Sequence, residues 1–326
     1  MSLRTCACVL SLLLTASAQA AGLQSDVILP DPSPLAAGPE LARRTLTPLT
    51  ALRLRAAIPA QLIDPAQERF VLYVPEQAPP EGYGLVVFIS PATEALLPSR
   101  WGPVLDRHGV IFVSPTNAGN DAKTFERREP LALTAAANVM ARYRVDPARI
   151  YVAGFSGGSR VALRLALAYP DLFRGALLDA GSDPIGAEMP APPTDLLRRF
   201  QETSRLVYLT GARDDFHMAM DRRSQQSMQD WCVFDIATEL MPWSGHDLAD
   251  AAAFGRGLED LAQHAVPDPA RLGACRAQLD QAMAVDLQQI PEGDRDAAWR
   301  ALAAFDGRYG GLGAEASLAL ADRLSR

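Results

Sequence analysis

Gly154-Phe155-Ser156-Gly157-Gly158 is the segment with the clearest chemical content in this 326-residue chain. An apolar run, Ile150 to Ala153, enters it, and a second, Val161 to Ala168, leaves it. The first reads as a strand and the second as a helix, so Ser156 stands where a strand turns sharply into a helix. Glycines two residues before and two after let the backbone bend without a Cβ clash. Such a turn holds a hydroxyl up as a nucleophile for acyl transfer. A G-x-S-x-G arises by composition in a chain this long about one time in ten, but the strand and helix around this one separate it from an ordinary Gly-rich turn. A serine hydroxyl attacks poorly until a base takes its proton. The chain offers 4 histidines: His108, His217, His246 and His264.

RIYVAGFSGGSRVALRLALAYPDLFRGALLDAG (149–181) resembles the elbow region of the α/β-hydrolase superfamily. Within it the segment is similar to secreted polyhydroxyalkanoate-depolymerase-like and feruloyl-esterase-like serine esterases. The likeness covers roughly residues 68–264. It implies an α/β-hydrolase fold, with a mostly parallel central sheet flanked by helices, and catalytic partners in the order Ser, acid, His. His108 precedes Ser156, at a helix end, and is expected at the surface. His217 stands too near the acid candidates to leave room for an intervening helix and strand. His264 lies late in LEDLAQH and is expected to be a solvated helix-end cation. His246, in Trp243-Ser244-Gly245-His246-Asp247, follows an expected strand and matches the superfamily's base position.

The acid belongs just after RLVYLTG, where Asp214 and Asp215 both stand. Resembling sequences place it three residues after the glycine, here Gly211, which points to Asp214. Asp215 is the alternative, and Asp183, after GALLDAG, a third option. The resemblance also implies an oxyanion hole with the Gly157 N–H as one donor and a second from the loop after LVVFIS. Resembling enzymes often carry His-Gly there, whereas this chain has Ser90-Pro91-Ala92. Pro91 has no N–H to give, which leaves Ala92, or Thr93 beside it. Trp243, three residues before His246, is the candidate substrate contact. Trp101 and Trp231 are further candidates, with ordinary core packing the competing expectation for all three.

These residues suit ester hydrolysis through an acyl-enzyme, with a small-molecule or polymer ester as substrate: polyester-type, short acyl or feruloyl-type. No metal or organic cofactor is implied, and no Cys/His spacing resembles a zinc site. An exported serine peptidase of the same fold is one alternative, although the chain before the first strand is too short for a propeller. A catalytically inactive hydrolase-fold binding protein is another, suggested by the Ser90-Pro91 loop and the unassigned tail.

The elements that must position these groups follow from hydrophobic pattern. Strands are expected at ERFVLYVPE (68–76), LVVFIS (85–90), VIFVSP (110–115), RIYVAGF (149–155), GALLDAG (175–181), RLVYLTG (205–211) and VFDIATELM (233–241). Helices are expected at SRWGPVLDRHG, Pro130–Arg144, 159–170, Met218–Asp230 and around Leu248–His264. That alternation means βαβ units and a parallel sheet. The first two strands are expected to open it as an antiparallel hairpin. Residues 21–66, with Pro30, Pro32, Pro34 and Pro39, read as a linker or surface arm. Residues 67–266 read as the hydrolase domain. Residues 267–326 read as a small C-terminal appendage of two or three helices, separated by Pro291 and Gly310-Gly311.

Residues 1–20 read as an export signal: Arg4, then an apolar run from Cys6 to Leu14, then Ala18-Gln19-Ala20 as a cleavage site. A secreted or periplasmic mature protein is expected, and the run is too short to span a bilayer. The mature chain keeps Cys232 and Cys275, which in an oxidising compartment can form one disulfide or stay two separate buried thiols. Formal net charge is -7, and Lys123 is the sole lysine. An acidic surface disfavours a nucleic-acid partner. No obligate protein partner is expected.

Overall fold

The continuous apolar runs become the centre of one sheet. The computed structural model describes residues 21–326 apart from Ser99, Ala187 and Glu188, so the export-signal expectation lies outside the described residues. Eight strands are described: β1 (Gly22–Val27), β2 (Phe70–Val74), β3 (Tyr83–Ile89), β4 (Val110–Pro115), β5 (Val145–Phe155), β6 (Gly175–Asp179), β7 (Arg205–Gly211) and β8 (Ile236–Met241). Their order across the sheet is β1-β2-β4-β3-β5-β6-β7-β8. β1 and β2 run antiparallel to their neighbours, and β4 through β8 pair in parallel.

Helices cover both faces, which is why the central strands tolerate apolar side chains on each side. They are α1 (Gly38–Thr45), α2 (Pro48–Leu54), α3 (Gly102–His108), α4 (Glu129–Arg142), α5 (Gly157–Ala168), α6 (Thr194–Thr203), α7 (Asp215–Asp230), α8 (Ala251–Leu261), α9 (Pro269–Gln288), α10 (Arg295–Tyr309) and α11 (Ala314–Ser325). Leu131 to Val139 of α4 and Val161 to Ala168 of α5 pack on one face with Leu85, Val87 and Ile89. Val104 and Leu105 of α3, with Phe254 and Leu258 of α8, cover the other face against Val86 and Phe88. Among the described residues no helix is long and apolar enough to cross a membrane.

Two expectations change. β2 and β3 do not form a hairpin: β2 pairs with β4, Phe70 opposite Pro115 and Tyr73 opposite Phe112. β3 sits between β4 and β5 instead. A strand apolar on both sides belongs in the sheet interior, and residues 75–82 are long enough to step past β4. Nor is the segment 21–66 a linker. Gly22 and Leu23 register against Val74 and Tyr73 as an edge strand, and Leu29, Ala36 and Leu41 enter the main core. Pro34, Pro39, Pro48 and Pro65 occupy the first turns of helices, where a missing N–H costs nothing.

The tail packs on the same body. Phe305 and Tyr309 of α10 join the main core, and the Asp306 carboxylate accepts the Leu49 N–H at 3.3 Å. Cys232 and Cys275 are joined by a disulfide, 43 residues apart in sequence, which ties α9 to the end of α7. Closing a loop of that length stabilises a fold by up to about 4 kcal/mol through chain entropy. Cys275→Ala is expected to lower the melting temperature by several degrees. Reductant is expected to lower the wild type to the same level and leave the variant unmoved; equal melts with and without reductant would contradict this.

Candidate active site

β5 ends at Phe155 and α5 starts at Gly157, so Ser156 alone makes the turn between them. Its φ of 54° and ψ of -122° lie where a residue with a Cβ is strained. Two backbone bonds hold it there: the Ser156 N–H donates to the Asp179 carbonyl at 2.7 Å, and the Ser159 N–H donates to the Ser156 carbonyl at 3.0 Å. The flanking glycines are required by close approach. A Cβ on Gly154 would stand 2.3 Å from the Gly158 carbonyl, and one on Gly158 would stand 1.9 Å from the Ile89 carbonyl oxygen.

The other two groups arrive from the carboxyl ends of neighbouring strands. Asp214 follows β7 and caps α7, and His246 stands on the loop after β8. His246 Nε2 lies 3.0 Å from Ser156 Oγ, and its Nδ1 lies 2.8 Å from Asp214 Oδ2. Burial pushes the Asp214 carboxyl up, but hydrogen bonds from His217 and His246 outweigh it and hold it below the usual carboxylate range. Asp215 is exposed at the first position of α7 and does not make the contact. Asp183 faces Arg160 at 3.8 Å.

His217 is a site residue that sequence reasoning set aside. Its Nδ1 lies 2.8 Å from Asp214 Oδ2 and 2.9 Å from Oδ1. Its ring stacks on that of His246, centroids 3.9 Å apart and planes 10° apart, while Phe155 packs against His246 at 4.9 Å. His246 is thus held between two rings. The signal was local: a helix-capping aspartate bonds the N–H of the third residue on, which brings that residue's side chain back over the cap. Asp214, His217 and His246 are the one grouping among the described residues with metal-ligand proximity. Both Nδ1 atoms face the same carboxylate, an arrangement that orients a base.

The oxyanion expectations fare unequally. Gly157 opens α5, and a Cβ there would lie 2.0 Å from Asn120 Oδ1, so the Asn120 carboxamide abuts it. The Ala92 N–H instead donates to Ser90 Oγ at 3.0 Å. A serine two residues back commonly captures such a donor, which corrects the assignment of Ala92. Trp243 is 80% exposed with the Arg213 guanidinium over its ring. Trp101 is core, stacked on Phe254 at 3.8 Å, and Trp231 is buried near Tyr309. His264 stands exposed beyond the end of α8 with its Nδ1 2.7 Å from Asp235 Oδ2, and His108 is half-enclosed beside Glu259. A cavity of about 580 Å³ opens at Ser156 and Gly157; Asn120, Arg128, Arg160, Arg164 and Asp183 are among its lining residues, and Trp243 is not.

Beneath the elbow, Asp179 ends β6. Burial pushes its carboxyl up to about 8, against the Ala249 N–H that donates to Oδ2 at 2.7 Å. Oδ1 has no partner among the described residues. A carboxyl raised in the fold binds more protons there than in the unfolded chain. Its contribution to stability therefore falls as pH rises from about 4 through the folded value. Asp179→Asn keeps the acceptor and removes the charge. It is expected to raise the melting temperature by a few degrees at pH 9 and little at pH 5; an equal effect at both would contradict the assignment.

No family model matches the chain. Among curated proteins it is 30% identical over 96 residues to poly(3-hydroxyalkanoate) depolymerase C of Paucimonas lemoignei, covering 26% of this chain and 23% of that one. It is 26% identical over 99 residues to poly(3-hydroxybutyrate) depolymerase of Ralstonia pickettii, covering 26% and 20%. The matches thus span less than a quarter of either relative. Among solved structures, S-formylglutathione hydrolase FrmB of Staphylococcus aureus aligns with a TM-score of 0.47 and 12% identity, over 60% of this chain and 93% of that one. With a mostly parallel sheet in this strand order and a strand–serine–helix elbow, the chain is an α/β-hydrolase-fold protein, similar to poly(3-hydroxyalkanoate) depolymerases over 26% of its length.

Proposed function

We propose that this protein is an exported carboxylic ester hydrolase that acts through Ser156, His246 and Asp214. The observation that carries this is the continuous line of hydrogen bonds, 3.0 Å from Ser156 Oγ to His246 Nε2 and 2.8 Å from His246 Nδ1 to Asp214. His246 Nε2 takes the Ser156 proton as Oγ attacks the ester carbonyl. Asp214 fixes the tautomer with its proton on Nδ1 and stabilises the imidazolium that forms. The Gly157 N–H, with the Asn120 carboxamide beside it, faces the developing oxyanion. The tetrahedral intermediate collapses, the imidazolium gives its proton to the leaving alcohol, and water then releases the acid by the same steps.

The two relatives named as depolymerases support a polyester-type ester, with short acyl and feruloyl esters as companions in the test panel. The Ala-x-Ala site after a short apolar run supports export, as does a disulfide, which persists in oxidising compartments. The experiment is turnover of 4-nitrophenyl butyrate by the purified mature protein. Saturable release of nitrophenol is expected, and none above background would refute an esterase.

His217 is assigned as a positioning residue for His246 and Asp214. His217→Ala, which removes both the stack and the bond to Asp214, is expected to lower kcat roughly 10-fold, of the order seen when orienting partners are lost. His217→Phe restores the stack and is expected to recover part of that loss. Unchanged kcat in both variants would remove His217 from the site.

A further inference from the structure

The cavity beside Ser156 holds more positive charge than ester hydrolysis needs. Arg128, Arg160 and Arg164 all line it. Arg164 is matched, its Nε donating to Glu129 at 2.8 Å and its Nη2 to the Thr45 carbonyl at 3.2 Å. Arg160 lies 3.8 Å from Asp183, beyond hydrogen-bond reach.

Arg128 is different. It is 4% exposed, yet it is held by neutral groups: Nε donates to the Ala118 carbonyl at 2.7 Å and Nη2 to the Ser90 carbonyl at 3.2 Å. Among the described residues it forms no ion pair, and its Nη1 has no protein acceptor. Burial draws its guanidinium down to about 10, against the pull of Asp121 and Glu129. A buried guanidinium without a carboxylate partner is costly, and a planar fork of donors is suited to a carboxylate. Asp183 and the Arg164-bound Glu129 offset two of the three arginines, while Asp121 is exposed and screened by solvent. The surplus of one positive charge fits a singly charged anion. Asn120 and Thr124 supply neutral polar lining beside it.

We propose that the preferred substrates of this site are esters bearing a carboxylate a short spacer from the scissile bond, held by Arg128 and Arg160. This rests on the hydrolase function proposed above. The carboxylate can belong to the acyl part, as in a half-ester of a dicarboxylic acid. It can equally belong to the alcohol part, as at the free-acid end of a hydroxyacid oligomer.

The test compares matched pairs at low ionic strength. The acyl arm sets mono-4-nitrophenyl glutarate against 4-nitrophenyl valerate. The alcohol arm sets 3-butyryloxybutyric acid against its methyl ester. In at least one arm kcat/KM for the acid is expected to exceed that of the neutral partner about 10-fold or more, as a charge-assisted contact gives. The ratio is expected to fall towards 1 in Arg160→Gln and in Arg128→Gln. In the wild type it is expected to shrink as salt is raised. The wild-type salt series and Arg160→Gln decide the matter should Arg128→Gln fail to fold. A ratio at or below 1 in both arms, or one indifferent to salt and to both substitutions, would overturn the proposal while the neutral esters still turn over. Failure to cleave any ester would instead defeat the hydrolase function itself.

Discussion

Ser156→Ala is expected to reduce kcat on 4-nitrophenyl butyrate by about 10⁵-fold or more, the scale on which loss of a triad nucleophile acts. The size follows from the absence of a substitute. The closest hydroxyl along the helix, Ser159 Oγ, is fully buried and bonded to Ser182 Oγ at 3.0 Å. The fold is expected to survive, because the elbow is held by backbone bonds from Ser156 N to Asp179 and from Ser159 N to the Ser156 carbonyl. Alanine has the same Cβ and carries the same strain at φ 54°. A melt within a few degrees of wild type, with turnover lost, is the expected pair of results. Retained turnover would move the nucleophile elsewhere.

Asp214→Asn is expected to cost about 10⁴-fold in kcat at neutral pH. The side chain is isosteric, but its amide can present N–H groups to His246 Nδ1 and favour the tautomer with the proton on Nε2. That nitrogen lies 3.0 Å from Ser156 Oγ and then cannot accept its proton. Stability should respond as well. The Asp214 pKa is lowered by bonds from His217 and His246, so its contribution is complete above the unfolded value near 4 and disappears as pH falls through the folded one. The variant is therefore expected to melt below wild type at pH 7, and the gap to narrow in strong acid. Asp215→Asn, on an exposed side chain one residue on, is expected to change kcat less than about 2-fold. Equal losses in the two variants would contradict the choice of Asp214.

Much of this was legible in the sequence because the signals are local. LVVFIS and RIYVAGF are apolar on both sides and can only be interior strands. Glycines around a serine at a strand–helix junction announce the bend that the Gly154 and Gly158 contacts enforce. What escaped depends on partners distant in the chain or on side chains that capture the backbone. Gly22–Val27, GLQSDV, carries no strand pattern of its own and is a strand because the edge of β2 offers it a ladder. The pairing of β2 with β4 rather than β3 is a choice between two equally apolar neighbours, which composition does not rank. Position alone points to Ala92, whereas Ser90 Oγ claims its N–H. Spacing alone excludes His217, yet the cap at Asp214 folds it back onto the same carboxylate. Asn120 and Arg128 sit after β4, in a stretch with no motif to mark them.

The most direct measurement is labelling of the folded mature protein with a fluorophosphonate, read by intact mass and peptide mapping. One adduct on Ser156 is expected, strongly slowed in His246→Ala and absent in Ser156→Ala. A folded protein that takes no label, or takes it on another residue, would mean that the hydroxyl and imidazole 3.0 Å apart are not the reacting pair.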